Sequence, residues 1–211
     1  GATVWSNLRA GRFAGPIYGV NPKHATLDGV SLAARVADLP EPPDLAVICT
    51  PPATVPGLVD ELGRLGTRAA IVMTAGLTAA QKQAALDAAR PHVLRLLGPN
   101  CLGLLSPRIG LNASFAHTDA LPGKIAFVSQ SGALVTGVLD WAKSRGIGFS
   151  RFISLGESAD VDFGDVLDYL AGDADTSAIL LYIEDVRHAR KFMSAARAAA
   201  RSKPTLVLKA G

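Results

Sequence analysis

Short apolar runs alternating with amphipathic stretches predict an α/β protein built on parallel sheets. Runs at 16–20, 45–49, 69–73 and 93–97 alternate with helical stretches at 56–65 and 79–90. A second series places strands at 125–128, 152–155, 179–183 and 205–208 between helices at 133–145, 163–171 and 186–202. From 98 to 123 the rhythm breaks around Pro99, Pro107 and Pro122, as expected of a connection. The chain therefore divides into two α/β units, 1–122 and 123–211.

In chain order, residues 2–10 form an amphipathic stretch that Gly11 terminates, and the run at 16–20 follows. A Rossmann-like domain normally opens with a strand and a glycine-rich loop. Neither stands ahead of residue 2, so the first unit is expected to be Rossmann-like with its first strand missing. The second unit has the element order of a flavodoxin-like domain. It is expected to be incomplete at its C-terminus, where Lys209-Ala210-Gly211 lies just past a strand. No internal repeat interrupts either unit, and the alanine-rich run 195–200 reads as ordinary helix.

Composition narrows the class. Hydrophobic residues make up 49% and charged residues 18%, so a sizeable core is available. Lys plus Arg exceed Asp plus Glu by 21 to 18, and a net charge of +3 spread along the chain does not imply nucleic acid. Arg187, Arg190, Lys191, Arg197 and Arg201 fall on one helix whose Val186, Ala189, Met193, Ala196 and Ala200 keep helical spacing, which describes a solvated face. Two cysteines make neither a disulfide framework nor a metal site. Cys49 is expected in the core and Cys101 as a half-buried thiol in a turn, both in a reducing, cytoplasmic compartment. No apolar run approaches the ~20 residues of a membrane-spanning helix.

The turn Ser129-Gln130-Ser131-Gly132-Ala133-Leu134 follows a strand and opens a helix. First-turn N–H groups lack intrahelical partners and the helix dipole adds partial positive charge, so a phosphate fits there without a lysine. Gly132 would admit it close to the backbone, and Ser129 and Ser131 could donate hydroxyls. The competing reading is a turn that merely caps a helix.

Five segments in this order resemble one family: Val20-Asn21-Pro22-Lys23, Cys49-Thr50-Pro51-Pro52, Gly98-Pro99-Asn100-Cys101-Leu102-Gly103, the Ser129–Leu134 turn, and Tyr182-Ile183-Glu184. They are similar to the CoA-binding, succinyl-CoA synthetase alpha-like subunit of NDP-forming acyl-CoA synthetases. Gly110-Leu111-Asn112-Ala113-Ser114-Phe115 and Asp140-Trp141-Ala142 look closest to the form fused to a GNAT domain in bacterial protein lysine acetyltransferases. The resemblance implies that acid, CoA and NTP are converted to acyl-CoA, NDP and phosphate through an acyl phosphate and a phosphohistidine, with acetate or another short carboxylic acid as substrate.

Carried over by motif, Lys23, beside Asn21 and Pro22, would pair with a phosphate of CoA. Thr50, Pro51, Pro52, Met73 and Thr74 would line its nucleotide and pantetheine. Asn100 would donate a hydrogen bond near the acyl group, while Cys101 takes no covalent role. Glu184 would orient a phosphohistidine expected beyond Gly211, since His24, His92, His117 and His188 do not match its position. Read without the resemblance, Lys23 is an exposed loop lysine and Glu184 a strand-end acid facing solvent. ATP or GTP with Mg would be held by an ATP-grasp subunit or domain, and the fragment alone is expected to be inactive. The alternative is a non-catalytic CoA or acetyl-CoA sensing region attached to a C-terminal GNAT domain. A nicotinamide dehydrogenase would need a ribose-binding acid after the run at 16–20, where Val20-Asn21-Pro22-Lys23 stands instead.

Overall fold

The computed structural model describes residues 1–210; Gly211, the end of the Lys-Ala-Gly segment, lies outside the described residues. The first unit opens with helix α1 (Ala2–Ala10), whose Val4 and Trp5 are buried. A small hairpin of β1 (Thr26–Leu27) and β2 (Val30–Ser31) follows. Next come β3 (Leu45–Ile48), α2 (Val55–Leu65), β4 (Ala69–Val72), α3 (Ala79–Ala89) and β5 (Arg95–Leu97). The strands β3, β4 and β5 pair in parallel in that order. Helix α2 buries Val55, Val59 and Leu62, spaced to share one face, against Ala70, Val72 and Leu96. Helix α3 starts on a capping box, in which Thr78 Oγ1 accepts from the Gln81 N–H and Gln81 Oε1 from the Thr78 N–H.

The run at 16–20 is not a strand of this sheet. Only Val20 bridges, in parallel, to Ala33. Its period-2 apolar residues point outward instead, leaving Tyr18 and Val20 each 39% exposed, while Trp5 of α1 packs on Gly19. Apolar alternation makes a strand only where a neighbour takes its N–H and C=O groups.

The second unit contains β6 (Gly103–Ser106), β7 (Leu111–Ser114), β8 (Pro122–Ser129), α4 (Gly132–Ser144), β9 (Phe149–Ser154), α5 (Phe163–Gly172), β10 (Ala178–Ile183), α6 (Ala189–Ser202) and β11 (Thr205–Lys209). Its six-stranded sheet runs β11-β10-β8-β9-β6-β7. The parallel strands β9, β8, β10 and β11 reproduce the 2-1-3-4 order of a flavodoxin-like sheet. The segment expected as a connection instead supplies β6 and β7, an antiparallel pair that β6 joins to β9. Helix α6 begins at Ala189 rather than at 186, with His188 at its N-cap.

The two units share a core. Val4, Ile71, Met73 and Leu97 pack in one cluster with Ala126, Val128, Leu155 and Leu167. Asn7 Nδ2 of α1 donates to the Ser114 and Ala116 carbonyls at 2.9 and 2.8 Å, fastening that helix to β7. Residues 155–161, which follow β9, run alongside the end of β5. Val161 N donates to Leu96 O, Ala159 N to Gly98 O and Glu157 N to Pro99 O, at 3.1, 2.9 and 2.9 Å. Lys82 of α3 pairs with Glu157, and Arg95 with Asp160. Among the described residues no helix is long and apolar enough to cross a membrane.

Candidate functional site

In a parallel sheet the carboxyl ends of all strands lie on one edge, where loops gather ligand-binding groups. On the first sheet that edge carries Thr50, Pro51 and Pro52 after β3, Met73 and Thr74 after β4, and the Gly98–Gly103 turn after β5. Thr74 Oγ1 donates to Thr50 O at 2.7 Å, and Thr74 O accepts from the Asn100 N–H at 3.1 Å, so these three loops are one assembly. Asn100 sits at φ +55° and is exposed, and its side-chain amide has no protein partner among the described residues. Met73 is 8% exposed with its side chain in the shared core, so what it offers the edge is backbone. Pro52–Thr54 forms a 3-10 turn that feeds α2.

Lys23 stands on a separate turn, where Asn21 Oδ1 accepts from the Lys23 and His24 N–H groups at 2.8 and 3.2 Å. Asn21 is thus spent on shaping the turn, and the exposed ammonium has no ion pair among the described residues. No hydrogen bond joins this turn to Thr50, Thr74 or Asn100 among the described residues.

Cys49, expected in the core, is exposed. It lies one residue past β3, where the chain turns over the open edge, and its Sγ stands 3.7 Å from Met73 Sδ. Cys101 is 3% exposed. Burial, opposed by hydrogen bonds to the Gly103 and Cys101 backbone, pushes its thiol up to about 12, which removes the thiolate a nucleophile requires.

On the second sheet, β8 is the strand from which the order reverses. The chain passes from β8 to β9 on one side and then crosses to β10 on the other, so the carboxyl ends of β8 and β10 flank a topological switch point. The structure brings the Ser129–Gly132 turn and Glu184 together there, since Ser129 registers with Tyr182. Ser129 is buried. Its hydroxyl donates to Ser131 O and accepts from Ser131 N, both at 3.0 Å. Ser131 is the N-cap of α4 and accepts from the Leu134 N–H. Ser129 therefore has no hydroxyl proton left for a ligand, whereas Ser131 does. A Cβ built on Gly132 would meet nothing within 4 Å, and the first-turn N–H groups of Gly132 and Ala133 donate to no acceptor among the described residues.

Glu184 is exposed and its carboxylate has no hydrogen-bond partner among the described residues. Its backbone is held by Gln130, a residue that sequence reasoning passed over. Gln130 Oε1 accepts from the Glu184 and Asp185 N–H groups at 2.7 and 3.0 Å, and Nε2 donates to Asp185 O at 3.1 Å. Residues 155–161 tie the two edges together, because Leu155 N donates to Ser129 O at 2.8 Å while Glu157 N donates to Pro99 O. His188 remains on the surface at the start of α6, and His117 pairs with Asp140 at 2.7 Å.

Residues 1–107 match the CoA binding domain family, and residues 122–211 match the succinyl-CoA ligase like flavodoxin domain. The chain is 42% identical over 217 residues to ADP-forming acetate–CoA ligase I of Archaeoglobus fulgidus, covering 100% of this chain and 31% of that protein. It is 36% identical over 217 residues to the alpha subunit of ADP-forming acetate–CoA ligase II of Pyrococcus furiosus, covering 100% of this chain and 47% of that subunit. It superposes on the dinucleotide-forming acetyl-coenzyme A synthetase 1 of Ca. Korarchaeum cryptofilum, in complex with phosphate and ADP, with a TM-score of 0.94 at 34% identity. That superposition covers 99% of this chain and 46% of the other. The chain thus spans less than half the length of these relatives. Two modules in this order, on a fold that matches throughout, place the chain in the NDP-forming acyl-CoA synthetase family, as its CoA-binding region joined to its succinyl-CoA-ligase-like flavodoxin domain.

Proposed function

We propose that the chain is the CoA-binding and phosphate-handling region of an ADP-forming or GDP-forming ligase that joins acetate or another short carboxylic acid to CoA. The observation that carries this reading is the switch point of the second sheet. A helix N-terminus with two unspent N–H groups and an exposed acid stand at neighbouring strand ends there, and residues 155–161 join that place to the edge bearing Asn100. The helix N-terminus suits an anion, and Glu184 suits a partner that presents an N–H, as the imidazole of a phosphoryl-carrying histidine does. That histidine belongs to a segment past residue 211, and the nucleotide with its Mg to an ATP-grasp partner.

The first edge fits CoA by its donors. Asn100 offers a free amide for the thioester end and the Thr50–Pro52 and Thr74 loops a backbone-lined surface beside it, while Lys23, on its separate turn, offers an exposed ammonium for a phosphate. CoA supplies the acyl-accepting thiol, and these residues bind and orient it. The relatives are ligases, so no observation favours attachment to a GNAT acetyltransferase, and the likeness of residues 110–115 and 140–142 to that form is set aside.

The test is calorimetry with CoA on the longer protein that carries this chain. Lys23→Ala is expected to lose about 1.5–3 kcal/mol of CoA binding, the range for a hydrogen bond to a charged group. Unchanged CoA affinity, or tighter binding of NAD than of CoA, would refute the reading.

A further inference from the structure

Gln130 occupies the one position in the Ser129–Gly132 turn from which a side chain crosses the crevice between β8 and β10. Four hydrogen bonds connect it to the far wall. Its backbone N–H donates to Tyr182 O at 3.3 Å, and its amide makes the three bonds to Glu184 and Asp185 given above. The amide dipole is used in both senses, with one oxygen taking two successive N–H groups and the nitrogen returning a bond to the carbonyl between them and α6. This fixes the backbone at residues 184 and 185 in position and in rotation. Glu184 has no other hold on its direction, because its carboxylate makes no hydrogen bond among the described residues. On the near wall, the Ser129 hydroxyl locks Ser131 through both its N–H and its carbonyl, and Ser131 caps α4. Gln130 lies between these two serines, so the same short turn sets the helix N-terminus and the acid opposite it.

We propose that Gln130 is a positioning residue: it sets the distance between the anion-binding N-terminus of α4 and the Glu184 carboxylate, and so determines how fast a phosphoryl group is transferred there while leaving CoA binding untouched. A catalytic group displaced by about 1 Å can lose on the order of 100-fold in rate, so a clamp that touches no substrate controls the rate through geometry alone. Gln130 carries no charge, and its amide oxygen and nitrogen are spent on the backbone of residues 184 and 185. Its effect therefore passes through Glu184. This inference rests on the phosphate-handling reading of the switch point.

The experiment uses the full-length protein that carries this chain, incubated with γ-labelled ATP, and measures the rate of acid-labile phosphoryl incorporation alongside CoA affinity. Gln130→Met keeps the volume and removes every side-chain hydrogen bond to residues 184 and 185. It is expected to slow incorporation at least tenfold and to leave the Kd for CoA within twofold of wild type. Gln130→Asn, one methylene too short to span the crevice, is expected to behave likewise and guards against a misfolded Met variant. In a Glu184→Gln background, Gln130→Met should slow the reaction by less than twofold further, because its route of action is already gone. Wild-type rates in both Gln130 variants, or the same tenfold loss in the Glu184→Gln background, would overturn the positioning role while leaving the phosphate reading intact. A wild-type protein that takes up no label, or a Glu184→Gln variant as fast as wild type, would instead remove the phosphate reading and this inference with it.

Discussion

At Gly156, residues 155–161 lie against the backbone of the first sheet's edge, and substituting it tests whether that passage holds the two units together. It adopts φ +56°, and a Cβ there would lie 2.4 Å from both Asn100 O and Pro99 O, which are backbone atoms that cannot swing aside. Two costs follow in Gly156→Ala. A side chain in the left-handed region costs about 1–2 kcal/mol. Restoring ordinary contact, which begins near 3.4 Å, requires the facing backbone to retreat by about 1 Å. That movement breaks the Glu157 N–H bond to Pro99 O, worth about 1 kcal/mol, and adds an overpacking cost of about 1 kcal/mol or more.

Gly146 separates the two costs. It sits at φ +68° after α4, and a Cβ there would meet nothing within 4 Å. Gly146→Ala therefore carries the conformational cost without the contact. The difference between the variants is expected to be about 2 kcal/mol, or about 4–8 °C in thermal midpoint for a protein of this size, read by circular dichroism. Equal midpoints for the two variants would show that residues 155–161 yield freely, and the account of a fixed inter-unit passage would be wrong.

Alkylation at pH 8 should modify Cys49 and spare Cys101 in the folded protein, because burial holds the Cys101 thiol near 12; equal labelling of both under native conditions, by mass spectrometry, would contradict that placement. The cluster of Asp162, Asp165, Lys191 and Arg95 should give stability a defined pH window. Burial alone would raise the Asp165 carboxyl, but Lys191 Nζ at 2.6 Å, the Asp162 backbone N–H and Arg95 outweigh it and hold it below its ordinary 3.8. Burial alone would lower the Lys191 ammonium, but Asp165 and Asp162 outweigh it and hold it above its ordinary 10.5. A lowered carboxyl stabilises above its unfolded value and loses this as pH falls through the folded one, while a raised ammonium stabilises below its unfolded value and loses this as pH rises. Lys191→Met should therefore lower the urea midpoint at pH 7, and the gap to wild type should close as pH falls below 3.8. A gap that stays unchanged after the Asp165 carboxyl itself has been titrated, followed by NMR, would assign the effect to packing instead.

Periodicity alone made the two α/β series and the strand-end position of the Ser129–Gly132 turn legible. That Glu184 shares an edge with this turn followed from the parallel direction of the strands. That β8 and β10 are neighbours came only with the flavodoxin-like fold class, because no local spacing records strand order. The β6–β7 hairpin was hidden for a different reason. Its strands are four residues each, and Pro107 and Gly110, which build the turn between them, carry the same signature as an unstructured connection. Helix α1 shows its apolar face in the sequence, but a face does not say which sheet it will cover, and Asn7 settles that through two carbonyls more than a hundred positions away. Gln130 gave no signal at all. A glutamine in a polar turn belongs to no period, and its importance depends on what stands across the crevice.

The core shared by Val4, Ile71, Met73 and Leu97 with Val128 and Leu155 governs how the molecule comes apart. The first family match ends at residue 107, just past β6, yet β6 pairs with β7 and β9 of the other sheet, and α1 rests on β7. Sequence modules and cooperative units therefore do not coincide. Heating should melt both sheets in a single calorimetric transition whose van't Hoff and measured enthalpies agree, because neither sheet can lose its structure without exposing the apolar surface of the other. A chain divided at residue 107 would strand β6 in one piece and its hydrogen-bonding partners in the other, so two halves that are each recognisable as sequence would be unable to fold apart.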